Sequence, residues 1–116
     1  MQIKLIQTFS IGVLLNLAQS SEEAAASIVR EGGIVAVVES MNRFPKDGEL
    51  LNRACLLFFN LAEKNSSWAH EISAKSGLSA ISQVLQAAHS KQLGDSEDVA
   101  DNAKKAFDLI YLKISS

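Results

Sequence analysis

The chain has only one cysteine and one proline among its 116 residues. Because Cys55 has no partner within the chain, an intramolecular disulfide is excluded and a thiolate metal cluster is not expected. Cys55 stands inside the apolar run 54–59, where a small buried hydrophobe is expected rather than a nucleophile. With Pro45 alone and six glycines, long uninterrupted helices are permitted.

An excess of positive charge is also missing, since the net charge is −2. No basic stripe is available to neutralise a phosphate backbone, so a nucleic-acid partner is not expected. No apolar run reaches the length of a membrane-crossing helix. At the start, Gln7, Ser10 and Asn16 interrupt the apolar stretch around residues 11–15, and no clear cleavage site follows, so no signal peptide is expected. With one unpaired cysteine, these features predict an intracellular, cytoplasmic or nuclear protein.

What the sequence does contain is an internal repeat. Residues 14–18 (LLNLA) align with residues 58–62 (FFNLA) at an offset of 44. The same offset aligns Ile28 with Ile72 and Gly33 with Gly77. A third copy appears at an offset of 48, where residues 107–110 align with residues 59–62. Several matches that share one offset indicate repeated structural units.

Local signals divide each period into three helices. Ser20 with Glu23 is typical of a capping box, and Gly32 with Gly33 is typical of a helix end. The first full period therefore predicts helices at 24–30, 34–42 and 49–62. The second predicts a short helix capped by Asn65 or Ser66, then helices at 78–89 and 97–113, the last capped by Asp95 or Ser96. No strand alternation competes with this interpretation.

This order of helices and motifs resembles the armadillo repeat family, with HEAT-like helical repeats as the alternative. The motifs Asn-Leu-Ala at 16–18 and 60–62, and the glycines before Ile34 and Leu78, carry the resemblance. It implies an all-α, right-handed α-solenoid whose third helices line a concave groove. The expected organisation is one domain, with residues 1–19 as the third helix of a partial repeat and residues 20–63 and 64–116 as two armadillo repeats.

The resemblance also implies a binding surface. In peptide-binding armadillo proteins, the asparagine at the position of Asn60 holds the ligand main chain, and Asn16 and Asp108 stand at the equivalent positions. The tryptophan that precedes this asparagine in peptide grooves is replaced here by Gly12, Leu56 and Lys104, which puts recognition of a lysine side chain in doubt. Alternatively, the asparagines bond only to neighbouring backbone. The expected partner-binding residues are Asn16, Asn52, Arg53, Leu56, Asn60, Lys104 and Asp108.

We therefore expect a non-enzymatic module that binds a protein or peptide, without cofactor or metal. A small hydrolase or metal protein is a weaker alternative, because His70 and His89 lack ligand spacing. The other alternative is a structural segment of a longer solenoid, or a chain that forms a homo-oligomer through open ends. Exposure of an apolar patch in the first helix would favour that alternative, the residues being Ile3, Ile6, Val13 and Leu17.

Overall fold

The computed structural model describes residues 8–93 and 97–116 and contains seven α-helices and no strand in those ranges. The predicted all-α class is therefore confirmed. The helices are, in chain order, α1 (Thr8–Ser20), α2 (Glu22–Arg30), α3 (Gly33–Arg43), α4 (Gly48–Lys64), α5 (Ser66–Ala74), α6 (Gly77–His89) and α7 (Glu97–Ser115). No helix in these ranges has both the length and the hydrophobicity needed to cross a bilayer.

Side-chain caps start three of the helices. The Ser21 hydroxyl accepts a hydrogen bond from the Ala24 N–H at 3.1 Å and starts α2. Asp47 caps α4 in the same way, and the Asn65 side chain accepts from the Ser67 N–H at 2.8 Å to start α5. Each cap satisfies a backbone donor that the helix itself leaves free. Of the two predicted caps for α5, the structure contains Asn65.

The predicted capping box of Ser20 and Glu23 is wrong. Helix α1 continues through Ser20, whose hydroxyl donates to the Leu17 carbonyl at 3.2 Å, so Ser20 closes one helix instead of opening the next. The cap is Ser21, and the residue three positions later is Ala24, which has no side chain that could complete a box. The predicted caps Asp95 and Ser96 lie outside the described residues.

The junctions α2–α3 and α5–α6 share an unusual backbone. Gly32 has φ 84° and Ser76 has φ 71°, both in the left-handed region. This conformation is natural for glycine but strained for a serine, so the second junction stores strain that the first avoids. Gly32 and Ser76 are 44 residues apart, the offset of the sequence repeat.

The glycine after each left-handed residue permits a close helix–helix contact. A Cβ atom added to Gly33 would lie 2.6 Å from Ile28 Cγ2 and 2.7 Å from the Ile28 carbonyl oxygen. A Cβ added to Gly77 would meet the same two atoms of Ile72. Both glycines are buried, so the last turn of α2 or α5 lies directly against the first turn of the next helix.

Helix ends recur at the same offset as these contacts. Helices α2 and α5 are nine residues each and begin and end 44 positions apart, and α1 and α4 end 44 positions apart. The packing recurs too, because α1 contacts α2 and α4, and α4 contacts α5 and α7. Helices α3 and α6 contact each other and lie against α4 and α7, respectively.

Helix α4 has the largest share of the hydrophobic core. It packs against α1 and α7 and also contacts α3, α5 and α6. A helix covered on so many sides must be apolar around most of its circumference, and the sequence of α4 meets that condition. Its buried residues are Leu50, Leu51, Ala54, Cys55, Leu57, Phe58, Leu61 and Ala62.

We predict that Gly33→Ala lowers the free energy of unfolding by about 1–3 kcal/mol, because the new methyl group overlaps the Ile28 carbonyl oxygen. Urea denaturation monitored by circular dichroism measures this change. The control is Gly12→Ala, where the three atoms nearest to the added Cβ would all belong to the Arg53 side chain, at 3.4–3.6 Å. Because alanine favours a helix over glycine, this control should be neutral or stabilising by up to about 1 kcal/mol. Equal losses of unfolding free energy in Gly33→Ala and Gly12→Ala would contradict the close contact between Gly33 and Ile28.

Candidate functional site

One face of α4 remains open between its two long neighbours. Asn52, Leu56 and Asn60 follow one another at spacings of four, and Arg53 stands three positions before Leu56, so these residues share the less buried side of α4 with Arg53 at its edge. All four are half-buried. We call this surface, with the adjoining sides of α1 and α7, the α1–α4–α7 face.

Two contacts fix the borders of this face. On one side Arg53 lies against α1, since a Cβ at Gly12 would be 3.4 Å from Arg53 Nη1. On the other side Asn102 Nδ2 of α7 donates to Asn52 Oδ1 at 2.7 Å. Leu56 therefore lies between the two borders on the surface of α4. The hydrogen bond joins residues 50 positions apart, and no spacing in the sequence indicated Asn102.

Asn60 carries an unpaired acceptor. Its Oδ1 atom is buried and has no hydrogen-bond partner in the part of the chain that the structure describes. Buried polar atoms are nearly always paired, so this exception needs an explanation. The alternative in which Asn60 bonds to neighbouring backbone through Oδ1 finds no support here, whereas Asn52 does bond within the protein.

Two ion pairs lie on the face. Arg53 Nη2 lies 2.7 Å from Glu49 Oε1, and Lys104 Nζ donates to Asp108 Oδ2 at 2.8 Å. The Asp108 carboxylate raises the pKa of Lys104, through this hydrogen bond and through its charge. Both pairs are exposed to solvent to a large degree, so they add little stability.

The sequence did not indicate the contact between Phe59 and Lys105. Lys105 Nζ lies 5.3 Å from the centre of the half-buried Phe59 ring, which is within the range of a cation–π interaction. Phe59 is one position before Asn60, so this contact covers the edge of α4 that faces α7. The sequence shows that Phe59 stands beside Asn60. It does not show that Lys105 contacts Phe59, because this contact depends on how α7 is aligned with α4.

The predicted binding residues lie on three helices. Asn16 is exposed on α1, and Lys104 and Asp108 are exposed on α7, on either side of the α4 residues. The patch residues Val13 and Leu17 are exposed on α1, while Ile3 and Ile6 lie outside the described residues.

A cleft of about 520 Å³ lies elsewhere, between α3, α4 and α6. Its floor includes Met41, Leu51 and Val84, and Lys46 is the one charged residue among those that line it. This lining could hold an apolar group but offers no pair of ionisable residues for acid–base chemistry. Within residues 8–93 and 97–116 there is also no group of three His, Cys, Asp or Glu residues placed to hold a metal ion.

Comparisons of the chain with models of known protein families, with curated proteins and with solved structures found no match. Any conclusion about function therefore depends on the geometry of this chain.

Cys55 is fully buried on the inner side of α4. Burial away from water disfavours the thiolate and raises the pKa of Cys55 from 9.0 to about 12. A thiol in this environment neither ionises near neutral pH nor meets a reagent, in agreement with the expected structural role.

We predict that Cys55 reacts with a thiol reagent at pH 8 only when the chain unfolds. For a free energy of unfolding of about 5 kcal/mol, labelling would be roughly three to four orders of magnitude slower than in denaturant. Absorbance of the released thiol dye measures the rate. Fast labelling of the native protein would contradict the burial.

The raised pKa of Cys55 also predicts a dependence of stability on pH. Above pH 9 the unfolded thiol ionises while the folded thiol stays neutral up to about pH 12, so the free energy of unfolding falls as the pH rises between these values. The loss approaches about 1.4 kcal/mol per pH unit. Urea denaturation of the native chain and of Cys55→Ala isolates this term, since the variant lacks the thiol. If the free energy of unfolding depends on pH in the same way in both proteins, the proposed contribution of Cys55 is contradicted.

Proposed function

We propose that the chain is a protein-binding module, and that its α1–α4–α7 face receives an extended segment of a partner protein. The observation that carries the proposal is the unpaired Oδ1 atom of Asn60 on the half-buried face of α4. An acceptor shielded from water and left unpaired costs about 1–3 kcal/mol, and a bound N–H group would recover this free energy.

The amide of Asn60 suits a peptide main chain. It offers both a donor and an acceptor, as a peptide bond does. Rotation about the Cβ–Cγ bond exchanges the positions of Oδ1 and Nδ2, so either atom can turn towards a ligand. Asn16 on α1 provides a second exposed amide on the same surface. Two such amides would hold an extended segment by its backbone, with little dependence on its sequence.

The rest of the face favours a segment of mixed composition. Leu56 and Phe59 supply half-buried apolar surface, and the charges of Arg53 and Lys104 are paired with Glu49 and Asp108, respectively. The face therefore offers no unpaired cluster of carboxylates for a strongly basic ligand. This agrees with the residues that stand where peptide-binding armadillo proteins have tryptophan, which are Gly12, Leu56 and Lys104 here.

We also propose that the helices form a right-handed solenoid of armadillo-like repeats. Three observations support it: the recurrence of helix ends after 44 residues, the paired contacts of Gly33 with Ile28 and of Gly77 with Ile72, and the position of α4 between α1 and α7. In such a stack each repeat contacts only its neighbours, so a long face is built from short units.

The test uses short random peptides selected for binding to the immobilised chain. We predict that Asn60→Ala weakens the selected peptides about five- to tenfold, which corresponds to about 1–1.4 kcal/mol, as measured by fluorescence anisotropy. Because Asn60 Oδ1 has no partner among the described residues, the same change should leave the free energy of unfolding unchanged or raise it, since it removes an unpaired buried acceptor.

Two variants serve as controls. Asn52→Ala removes the hydrogen bond with Asn102 and should destabilise the chain by about 1 kcal/mol. Glu39→Gln changes an exposed residue of α3, away from the face, and should leave binding unchanged. Unchanged peptide affinity in Asn60→Ala, or a loss of stability as large as that in Asn52→Ala, would refute the proposed role of Asn60.

A further inference from the structure

The outer side of α1 is apolar and open. Helix α1 has no charged residue, and its Val13 and Leu17 side chains are 46% and 45% exposed. Their equivalents 44 positions later are Leu57 and Leu61, which are both 0% exposed in α4. Leu57 and Leu61 follow Arg53 at spacings of four, so they lie on the side of α4 that α1 covers. Val13 and Leu17 are therefore exposed on α1, whereas the equivalent side of α4 is covered by α1.

The side of α7 that faces away from α4 is likewise not covered by a described long helix. Phe107 aligns with Phe59 at the offset of 48, and Phe59 lies on the side of α4 that α7 covers through Lys105. Phe107 has no such helix beyond it among the described residues, and its ring stacks on Tyr111 with 6.2 Å between ring centres. An open depression of about 320 Å³ borders the pair, and Tyr111 and Leu112 are 58% and 64% exposed.

We propose that the α1 surface of one copy packs on the α7 surface of a second copy, head to tail. The contact would continue the internal packing of α4 against α7. Across the repeats, Val13 aligns with Lys105 and Leu17 aligns with Leu109, the residues on the side of α7 that faces α4. In the assembly, Val13 of one copy lies over Phe107 of the other copy. This contact is equivalent to the one that Lys105 makes with Phe59 within the chain.

A second copy fits these surfaces better than an unrelated partner, because the chain itself supplies both halves of the contact. The uncovered α7 surface corresponds to the side of α4 that α7 covers, and the uncovered α1 surface corresponds to the side of α4 that α1 covers. Helix α1 brings no charge that the contact would desolvate. At the α7 surface, Asp108 is already paired with Lys104.

Because the two surfaces differ, the association is heterologous. Each contact leaves one free surface at each end of the growing assembly, so further copies can add. Sedimentation velocity of the native chain should therefore show an average mass that rises with concentration without a plateau at the dimer. A single monomer boundary up to about 1 mM, the limit of weak association, would overturn the proposal.

Two blocking variants test the direction of pairing. Leu17→Glu places a charge on the α1 surface, and Tyr111→Glu places one on the α7 surface. Each alone should sediment as a monomer, with association weakened about tenfold or more. An equimolar mixture should form a dimer and nothing larger, because each variant keeps the surface that the other lacks.

The matched control is Gln19→Glu, which adds the same charge to an exposed position of α1 away from Val13 and Leu17 and should assemble as the native chain does. Circular dichroism shows whether each variant remains helical, and Tyr111 and Leu17 are exposed enough that folding should be retained. A mixture that stays monomeric overturns the proposal. Assembly that only Leu17→Glu abolishes also overturns it, because that result indicates pairing of α1 with α1.

Discussion

The apolar side chains of α4 pack against α1 on one side and α7 on the other, and the remaining structure depends on this double contact. Phe58, Leu57 and Leu61 are fully buried, and each such side chain contributes about 1.5–3 kcal/mol relative to an exposed one. Neither α1 nor α7 has as many buried residues of its own. The short helices and the α3–α6 pair complete the cover of α4, so the chain has one continuous core and not one core per repeat.

The same stacking determines which surfaces stay open. Since α4 is covered on two sides by long helices, its accessible residues in the described part of the chain include the row that contains Leu56 and Asn60. Polar side chains in that row are spaced by the helix and held at its borders by Asn102 and by the backbone at Gly12. This row is the surface that we propose for a segment of a partner protein. On the outer sides of α1 and α7, by contrast, apolar side chains are exposed: Val13, Leu17, Tyr111 and Leu112.

The short-range features could be predicted from the sequence because they depend on residues a few positions apart. Asn65 caps α5 through its neighbour Ser67, and Cys55 is buried because its whole run is apolar. Ser20 and Ser21 show the limit of such reasoning. Both serines are adequate caps, and the choice between them depends on where α1 ends. Helix α1 packs on α4 and continues through Ser20, and the capping motif does not record either fact.

The sequence by itself determined the helical class, the order of the helices and the repeat offset, because hydrophobic spacing, glycines and caps act locally along the chain. Tertiary structure alone decided which polar groups meet: Asn52 with Asn102, Lys105 with Phe59, and, within the described residues, no partner for Asn60 Oδ1. These outcomes depend on how α7 is aligned against α4 and on side-chain rotamers. A shift of one helical turn would change every one of these pairs while leaving the hydrophobic pattern of both helices intact.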